Sequence, residues 1–458
     1  MRFFYLILVL YTGPVESLQD IGWFWHASDF HYDFSYWSDQ LSCNNEVTSP
    51  GIYGDYWCDS PWLLIKDSIE SMKEIRPDVD FLLWTGDNVA HISDDYLSVN
   101  ISMGILQNIT DELQRNFPDV PTYATLGNHD YFPNNQFPAE NSEIYDRVAD
   151  MWTNWINDAT EITRFRNGAY YSVKSKHGLR ILGLNTNIYY TSDKVTANMT
   201  DPAGQFEWLD QQLTAAKNNN EKVLITAHIP PGMHTPDTIL WYYPHFNDKF
   251  IEIINKHVDN DVITAMYYGH DHSDGFKIFY KKDGTTAFPI FVAPSVTPWR
   301  FKAGTQTGPP HNPGVRLISY DRATGQPINI LMYYINLPDS NANNRTDWKL
   351  EYNFTQAYSV DDVTAPSLHK LRLRMEEDKS LIDMYYKFKD VSVSNPPSCN
   401  DDCKTSILCG FWNHKPDDLN TCTEKGKTTD DPTDYAVHLH ANLAIVVCLL
   451  LFVQHLLL

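Results

Sequence analysis

The sequence predicts an α/β fold in which two packed β-sheets are flanked by helices. Short apolar runs rich in β-branched and aromatic residues recur along the chain, and several are too continuous for half-exposed strands. Helical patterns separate many of these runs, and further runs follow as pairs late in the chain. Polar residues of metal-binding type follow five of the runs. Together these observations predict buried sheets with a site at their strand ends.

Eight apolar runs are the candidate strands. They are Gly22–Ala27, Phe81–Thr85, Thr122–Leu126, Arg180–Leu184, Lys222–Ala227, Val262–Tyr268, Pro289–Ala293 and Val315–Tyr320. The helix predicted at Pro61–Met72 is expected to begin with Ser60 as its N-cap. A second helix, Pro202–Lys217, follows Asp201. One face of this second helix carries three apolar residues, Phe206, Leu209 and Leu213.

The chain is expected to divide into four segments. These are a signal peptide at residues 1–17, the main domain at 18–337, a helical Cys-rich subdomain at 338–425, and a spacer with an attachment signal at 426–458. After Leu337 the sequence changes to an Asn-rich loop and short amphipathic helices at Thr364–Arg374 and Lys379–Lys387. We find no internal repeat of solenoid length.

The amino-terminal segment predicts export. Residues 1–17 combine Arg2, an apolar run from Phe3 to Tyr11, and small residues before a cleavage site after Ser17. This run is too short to span a bilayer. Five N-x-S/T sequons then follow, which predicts N-glycosylation in the secretory lumen. The acceptor residues are Asn100, Asn108, Asn198, Asn344 and Asn353.

Cysteine usage agrees with an oxidising compartment. Of the 7 cysteines, all but Cys448 precede the last apolar segment, and this even remainder suits three disulfides. Fifteen pairings are possible, and zinc binding by these cysteines is a less favoured alternative. We favour the near neighbours, Cys43–Cys58, Cys399–Cys403 and Cys409–Cys422.

The carboxyl-terminal tail has the pattern of a GPI-attachment signal. Residues Ala441–Leu458 are nearly all apolar, follow a polar spacer, and are not followed by Lys or Arg. Cys448 would be removed with this tail. We therefore expect a protein anchored at the outer face of the plasma membrane, with a secreted form as well. A single membrane span and a soluble product are the alternatives.

The charge balance excludes one class of partner. With 35 Lys and Arg against 58 Asp and Glu, the chain carries a formal net charge of −23. Binding to a nucleic-acid backbone needs a basic surface, so no nucleic-acid polymer is expected as a partner. A solvated acidic surface that keeps a glycoprotein soluble is the simplest explanation of the charge.

The polar residues that end the apolar runs have the chemistry of a metal site. In chain order they are Asp29, His31, Asp87, Asn128, His129, His228, His270 and His272. Taken singly, Asp29 and Asn128 could be turn formers and His228 a buried interior histidine. Taken together at the ends of parallel strands, they predict a cluster of carboxylate and imidazole ligands for zinc or a similar ion.

Five sequence blocks carry a family resemblance. In order, ASDFH, WTGDN, LGNHD, AHIPPG and YGHDH resemble the motifs of the calcineurin-like metallophosphoesterases. The stretches DYWCDSPWLLIKDSIESMKE, GNHDYFPNNQFP, NTNIYYTS and VTPW further resemble the acid sphingomyelinase-like phosphodiesterases, and the tail favours their GPI-anchored branch. The resemblance implies a two-sheet sandwich flanked by helices, with a small helical, disulfide-containing C-terminal subdomain. It also implies a metal-dependent phosphoric diester hydrolase.

The resemblance implies two metal positions. One ion is expected at Asp29, His31, Asp87 and His272, and the other at Asp87, Asn128, His228 and His270. Asp87 would bridge them, which lets two like charges lie close together. Purple acid phosphatases place a tyrosinate three residues after the bridging aspartate to hold ferric iron. Here that position is Ala90, so two Zn²⁺ ions are the expected cofactors.

Two further histidines are expected to be catalytic. His129 follows ligand Asn128, and His91 stands where the sphingomyelinase-like family has a second catalytic histidine. Either imidazolium could protonate the leaving alkoxide, a contribution of about 10²–10⁴ in rate. The alternative for His91 is an exposed loop residue without a catalytic role.

The expected substrates are small phosphodiesters and phosphoanhydrides, such as nucleotides and CDP-choline-like compounds, with effects on membrane lipids and signalling. Aromatic residues near the motifs are candidates for stacking on a base or caging choline, although core or rim packing is the alternative for each. They are Tyr53, Trp57, Phe132, Tyr189 and Trp299. A sphingomyelin-cleaving enzyme is less favoured, because no saposin-like module is expected ahead of the first strand. A surface glycoprotein with a dominant binding role is the third alternative. We expect a monomer.

Overall fold

The computed structural model describes residues 20–43, 47, 49–303, 306–394 and 396–424. Its strands are β1 Ile21–Ala27, β2 Phe81–Trp84, β3 Thr122–Ala124, β4 Tyr171–Lys174, β5 Arg180–Gly183, β6 Val223–Thr226, β7 Met233–His234, β8 Ile239–Leu240, β9 Ile263–Tyr268, β10 Gly275–Tyr280, β11 Thr286–Val292, β12 Lys302–Ala303, β13 Gln306–Thr307, β14 Gly314–Asp321, β15 Pro327–Tyr334 and β16 Lys349–Asn353.

Helices lie between and after these strands. They are α1 Trp62–Ile75, α2 Val99–Asn116, α3 Glu143–Met151, α4 Thr153–Ile156, α5 Ala159–Gly168, α6 Gln205–Asn218, α7 Pro244–His257, α8 Leu337–Asn343, α9 Phe354–Tyr358, α10 Ala365–Glu377, α11 Lys379–Lys389, α12 Asp401–Gly410 and α13 Pro416–Glu424. No helix in this described part is long and apolar enough to cross a membrane. The predicted signal peptide and the attachment signal lie outside the described residues.

Two six-stranded sheets form the centre of the molecule. The first has the order β16-β15-β14-β1-β2-β3, and the second has the order β10-β11-β9-β6-β5-β4. Strands β1, β2 and β3 are parallel, and so are β5, β6, β9 and β11. Because parallel strands end at the same edge of a sheet, the loops after β1, β2, β3, β6 and β9 can form one site. The predicted two-sheet fold class is confirmed.

The two sheets pack face to face through aromatic side chains. Phe24 of β1 stacks on Phe81 of β2 at 4.6 Å and meets the edge of Tyr267, from β9 of the other sheet, at 5.3 Å. All three side chains are buried. This interdigitation of large rings makes a close-packed core that fixes how the strand ends of one sheet face those of the other.

The C-terminal helices belong to the same core. Phe411, which follows α12, stacks on Phe276 of β10 at 4.5 Å, and Leu368 and Leu371 of α10 are buried in the main cluster. The disulfides join Cys43 to Cys58, Cys399 to Cys403 and Cys409 to Cys422, which are the near-neighbour pairs favoured from the sequence. Since β16 extends the first sheet beyond Leu337, this sheet continues past the predicted domain boundary.

The start of α1 differs from the prediction. Pro61, rather than Ser60, precedes the first helical residue, and it has an extended conformation with ψ 154° and no side-chain cap. The Ser60 hydroxyl is buried without a hydrogen-bond partner. The predicted cap at Ser60 is therefore wrong, because Ser60 pairs in a parallel bridge with Tyr32 instead of capping the helix. By contrast, Asp201 accepts hydrogen bonds from the amides of Phe206 and Glu207 in α6.

Candidate active site

Every predicted ligand lies in a loop that follows a parallel strand. Asp29 and His31 follow β1, Asp87 follows β2, Asn128 follows β3, His228 follows β6, and His270 and His272 follow β9. Five of these seven residues are buried and the two last histidines are half-buried. The two sheets thus bring residues that are up to 243 positions apart in the chain to one edge of the fold.

The backbone of these loops is strained where the ligands stand. Five of the seven predicted ligands adopt left-handed φ values between 41° and 71°, namely Asp29, His31, Asp87, His270 and His272. Such conformations cost energy and persist where the surrounding structure enforces them, which is common at functional sites. Gly127 lies so close to the Asp87 carboxylate that a Cβ atom there would be 2.1 Å from Oδ1. Only glycine lets the two loops approach in this way.

The first group of ligands surrounds His31. Its Nε2 atom lies 3.1 Å from Nε2 of His272, 3.5 Å from Oδ2 of Asp87 and 3.8 Å from Oδ1 of Asp29. Nε2 of His272 is in turn 3.5 Å from the same Asp29 oxygen. The ligand atoms of one tetrahedral zinc ion, with bonds of about 2.0–2.1 Å, lie about 3.3 Å apart. The group therefore has the spacing of a single metal position.

The second group shares Asp87 with the first. Nε2 of His228 lies 3.1 Å from Oδ2 of Asp87 and 3.0 Å from Oδ1 of Asn128. Nδ1 of His270 lies 2.9 Å from the same Asn128 oxygen and 3.3 Å from Nε2 of His228. One carboxylate oxygen, Oδ2 of Asp87, thus faces both groups.

The outer contacts of the histidines prepare them to bind a metal. Nδ1 of His31 lies 2.8 Å from the carbonyl of Val89, and Nδ1 of His228 lies 2.7 Å from the carbonyl of Thr85. A carbonyl can only accept, so each Nδ1 carries the proton and each Nε2 presents a lone pair to the centre. Two imidazole lone pairs, two carboxylates and an amide oxygen that converge on one place suit a divalent cation.

Electrostatics favour positive charge in this centre. Burial alone would lower the pKa of His31, but the carboxylates of Asp29 and Asp87 raise it to about 10. Burial also lowers the pKa of His228, but the carboxylate of Asp87 outweighs this effect and raises the pKa to about 9. The adjacent His228 and other imidazoles hold the pKa of Asp87 well below its usual value, against the effect of burial. A metal ion would take the place of these protons, since ligation requires neutral imidazole.

His91 and His129, the predicted catalytic histidines, lie together beside the first group. Their ring centroids are 4.4 Å apart, and His91 stacks on His31 at 4.2 Å. His91 is 19% exposed and contacts Asp59 through Nδ1. Burial and then the neighbouring His91 lower the pKa of His129 well below its usual value. His129 is therefore neutral at physiological pH.

Aromatic side chains line the centre on two sides. Trp299 stacks on His91 at 3.7 Å, and Trp241 meets His270 edge to face at 4.6 Å. Tyr190 lies 5.2 Å from His270 on the same side as Trp241. Trp241 is fixed by a hydrogen bond of 2.6 Å from its indole N–H to Asp271.

The aromatic candidates from the sequence separate into two kinds. Trp57, Phe132 and Trp299 are partly exposed. Tyr53 and Tyr189 are buried in the main core. Tyr189 stacks on Phe206 at 4.4 Å and accepts a hydrogen bond from Gln205, so it serves packing and contacts no substrate.

Comparison with known proteins identifies the family. The calcineurin-like phosphoesterase family matches residues 22–274, and the acid sphingomyelin phosphodiesterase C-terminal region matches residues 286–429. The human acid sphingomyelinase-like phosphodiesterase 3b is 38% identical over 90% of this chain and 92% of its own length. The chain belongs to the acid sphingomyelinase-like phosphodiesterases. The bovine protein named cyclic GMP-AMP phosphodiesterase SMPDL3A is 39% identical over 88% of this chain and 89% of its own.

Among solved structures, a dimetal phosphatase from Danio rerio is similar to this acid sphingomyelinase-like phosphodiesterase, with a TM-score of 0.41 and 15% sequence identity. The alignment covers 68% of the present chain and 95% of the Danio rerio chain. Membership of the family makes this protein a metal-dependent phosphodiesterase with a divalent metal centre. The candidate ligands of that centre are the groups described above.

Three residues of this acid sphingomyelinase-like phosphodiesterase were not predicted as part of the site. Asp59 contacts His91, Asp130 accepts backbone hydrogen bonds from the ligand loops, and Trp241 lines the centre. Asp130 could have been suspected, because it directly follows Asn128 and His129 in the LGNHD block. Asp59 lies in the stretch DYWCDSPWLLIKDSIESMKE, which marks the family but not the role of this residue, and no motif marks Trp241.

Proposed function

We propose that the protein is an extracellular dinuclear zinc phosphodiesterase that hydrolyses small, soluble phosphodiesters and phosphoanhydrides at the cell surface. The observation that carries this proposal is Oδ2 of Asp87, which lies 3.5 Å from Nε2 of His31 and 3.1 Å from Nε2 of His228. A single oxygen facing two sets of ligands is what a bridging carboxylate between two cations requires. Mixed imidazole and carboxylate ligands support zinc, and the buried Ala90 leaves no tyrosinate for ferric iron.

Each side chain then has a definite task. Asp29, His31 and His272 would hold one ion, and Asn128, His228 and His270 the other, with Asp87 shared. When bound, such ions supply a nucleophile from water at neutral pH and offset charge on the phosphoryl oxygens. Nδ2 of Asn128 donates to Oδ1 of Asn135 at 2.9 Å, which turns Oδ1 of Asn128 toward the metal position.

His91 is the better candidate for the proton donor. A leaving alkoxide needs a proton, and a protonated imidazole near the phosphorus can supply it. The lowered pKa of His129 disfavours its protonated form, and bound cations would lower that pKa further. His91 has a carboxylate partner in Asp59, whose Oδ1 lies 3.1 Å from Nδ1 of His91. His129 is then placed to donate a hydrogen bond from a neutral ring to a phosphoryl oxygen.

The aromatic surfaces support nucleotide-like substrates. Trp299, stacked on His91, lies on one side of the centre and Trp241, edge to face with His270, lies on the other, so an aromatic ring flanks each side of the position of a scissile phosphate. Stacking of a base on such a ring contributes about 0.5–1.5 kcal/mol beyond burial. The bovine relative is named for cleavage of cyclic GMP-AMP, a substrate with two bases, which agrees with two aromatic sides. We include cyclic dinucleotides with CDP-choline and ATP among the proposed substrates.

The surface location rests on the sequence. The predicted signal peptide and GPI signal lie outside the described residues, and of the five sequon acceptors Asn100, Asn108, Asn198 and Asn344 are exposed. Asn353 is half-buried and its side-chain oxygen caps α9, so it is the least accessible acceptor. A protein that is exported, N-glycosylated and lipid-anchored, as the sequence predicts, would carry out catalysis at the outer leaflet.

Sphingomyelin cleavage is the competing function. The C-terminal family match is to acid sphingomyelin phosphodiesterase, and exposed apolar side chains at Phe34, Trp37 and Leu63 are of the kind that contacts lipid. The deciding experiment measures kcat/KM of the zinc-loaded ectodomain for CDP-choline, ATP and a cyclic dinucleotide against sphingomyelin micelles. Nucleotide cleavage that is abolished in His228→Ala supports the proposal. Efficient sphingomyelin cleavage unmatched by any nucleotide would overturn it.

A further inference from the structure

Asp59 is a fully buried carboxylate whose contacts converge on one histidine. Its two oxygens lie 3.1 Å from Nδ1 of His91, and Oδ2 accepts the backbone N–H of His91 at 2.6 Å. Oδ1 also accepts a hydrogen bond of 3.1 Å from the hydroxyl of Thr297. Because both the ring and the backbone of His91 are bonded to the same carboxylate, Asp59 fixes the position and the rotation of that ring.

The loop that carries Asp59 is itself tied down. The backbone N–H of Asp59 donates to Oγ of Ser42 at 2.9 Å, and the preceding Cys58 forms the disulfide with Cys43. Oγ of Ser42 in turn donates to Oδ2 of Asp33 at 2.6 Å. The hydrogen bond to Ser42 and the adjacent disulfide therefore both fix the backbone at Asp59. A residue that positions another group needs such support.

The ring of His91 has little freedom. Trp299 stacks on one face at 3.7 Å with planes 8° apart, and His31 stacks on the other at 4.2 Å. Since Asp59 occupies Nδ1, Nε2 is the nitrogen left to meet a substrate. One ring nitrogen of His91 lies within 4.8 Å of the ligand nitrogens of His31 and His272, so the ring is in reach of a phosphate at the first metal position.

We propose that Asp59 is the positioning residue for proton transfer to the leaving group. It accepts the Nδ1–H of His91, which leaves Nε2–H of the same ring as the donor to the leaving oxygen. As the P–O bond breaks, its electron pair stays on that oxygen, which takes the proton from Nε2. Water supplies the oxygen of the new P–O bond and returns a proton to His91. This inference rests on the proposed function and deepens it.

The alternative is that Asp59 only stabilises its loop. The two roles differ in their dependence on the leaving group, because an alkoxide needs a proton and a nitrophenolate does not. The experiment therefore compares kcat for two substrates. The leaving group of a cyclic dinucleotide is an alkoxide, and that of bis(p-nitrophenyl) phosphate is a nitrophenolate. The variants are Asp59→Asn, His91→Ala and the double variant. Asp33→Asn is the matched control, since Asp33 holds the same loop through Ser42 without contacting His91.

We expect Asp59→Asn to lower kcat for the dinucleotide about 10- to 100-fold, the usual effect of losing such a partner. Its kcat for bis(p-nitrophenyl) phosphate, its zinc content and its melting temperature should change little. The double variant should be no slower than His91→Ala, because both substitutions remove the same step. Asp33→Asn should affect both substrates alike. If Asp59→Asn does not fold, Thr297→Val, which removes one donor to Asp59, should give a smaller effect with the same selectivity.

Two results would overturn the role of Asp59. One is an equal loss with both substrates in Asp59→Asn, and the other is an effect that adds to that of His91→Ala. Failure of the proposed function is distinguishable from these results. If His91→Ala itself shows no dependence on the leaving group, the assignment of His91 as proton donor is wrong. If His91→Ala shows that dependence and neither Asp59→Asn nor Thr297→Val does, only the role of Asp59 is wrong.

Discussion

Oδ2 of Asp130 accepts a hydrogen bond of 3.0 Å from the backbone N–H of Asp87. The same carboxylate accepts the amides of Asn88 and Gly127 at 2.7 and 2.8 Å, so it joins the loop after β2 to the loop after β3. Burial, and then the charge of Asp87, raises the pKa of Asp130 to about 6. Asp130 thereby aligns the backbone that carries two of the predicted ligands, Asp87 and Asn128.

Asp130→Asn should therefore weaken metal binding without removing a ligand. The amide cannot accept from all three backbone donors as the carboxylate does, so we expect a loss of about 10- to 100-fold in zinc affinity. Competition with a fluorescent chelator measures it. Asp146→Asn, at an exposed aspartate paired with Arg166, is the control. An unchanged affinity in Asp130→Asn would show that its contacts do not align the ligands.

Removal of Asp87 should empty both metal positions. The wild-type ectodomain is expected to contain close to two zinc ions per chain, and Asp87→Ala close to none, because each ion loses the shared oxygen. His272→Ala and His228→Ala should each retain one ion, since each removes a ligand from one group only. Elemental analysis of the four proteins tests this. Two ions retained by Asp87→Ala would refute the bridge.

The ion pair between Asp80 and Arg322 should make stability depend on pH. Arg322 donates to both oxygens of Asp80 at 2.8 and 2.9 Å, and the Tyr320 hydroxyl donates at 2.9 Å. Burial alone raises the pKa of Asp80, but these hydrogen bonds bring it below its usual value. An unfolded aspartate has a pKa of about 3.9. The stabilisation is therefore present above about pH 4 and is lost as the pH falls through the lower pKa of the folded state.

Asp80→Asn should accordingly reduce the free energy of unfolding by about 1 kcal/mol at pH 7. The difference from the wild type should shrink toward zero in strongly acidic solution, where the wild-type carboxylate is also protonated. Urea unfolding at a series of pH values measures it. Asp78→Asn is the control, because Asp78 is 78% exposed and lies 3.7 Å from Arg76. A difference that is constant with pH would exclude the ion pair as its source.

Trp241→Ala should raise KM for substrates that contain a base. Loss of one stacking surface is worth about 1 kcal/mol, or roughly fivefold in KM. CDP-choline and glycerophosphocholine, which lacks a base, are the substrates to compare, and Trp241→Phe keeps an aromatic ring at the position. An equal change in KM for both substrates would mean that Trp241 shapes the metal centre through His270 instead of binding the base.

Phosphatidylinositol-specific phospholipase C should release the protein from cells. The expectation follows from the apolar run Ala441–Leu458 behind a polar spacer, which is the pattern of a GPI-attachment signal. Immunoblots of the medium and of the membrane fraction give the result. A chain that stays with the membrane and still contains Leu458 would establish a transmembrane span.

The sequence predicted the strands that carry the site better than several of the other strands. All eight predicted runs overlap strands. Seven of them belong to strands with a parallel neighbour, and buried parallel strands are continuously apolar, whereas β14 is antiparallel to both of its neighbours. Of the strands in the two six-stranded sheets, β4, β10, β15 and β16 were not predicted. In β15 the burial alternates irregularly along Pro327–Tyr334, and β16 has the polar sequence KLEYN, so neither has a clear apolar run. These strands form because the neighbouring strands provide hydrogen-bonding partners.

The same limit explains which site residues could be foreseen. Ligands that end a strand are marked by the apolar run before them, so Asp29, Asp87 and His228 could be picked out from the chain. Asp59 reaches His91 only because the loop before α1 folds back over the strand ends, held at Ser42. Such a contact depends on the tertiary path of a loop, and no periodicity or spacing encodes it.

The left-handed backbone at five predicted ligands has a consequence for redesign of the site. Asp, Asn and His are, after glycine, the residues that adopt positive φ most readily, and they are also good metal ligands. Each position therefore imposes a steric demand on the main chain as well as a chemical demand on the side chain. Replacing Asp29 by Asn satisfies the first demand, while a β-branched or bulkier residue fails it even with a suitable donor atom. Attempts to change the preferred metal by exchanging ligands are thus limited to the few residue types that tolerate a positive φ, unless the loops are redesigned.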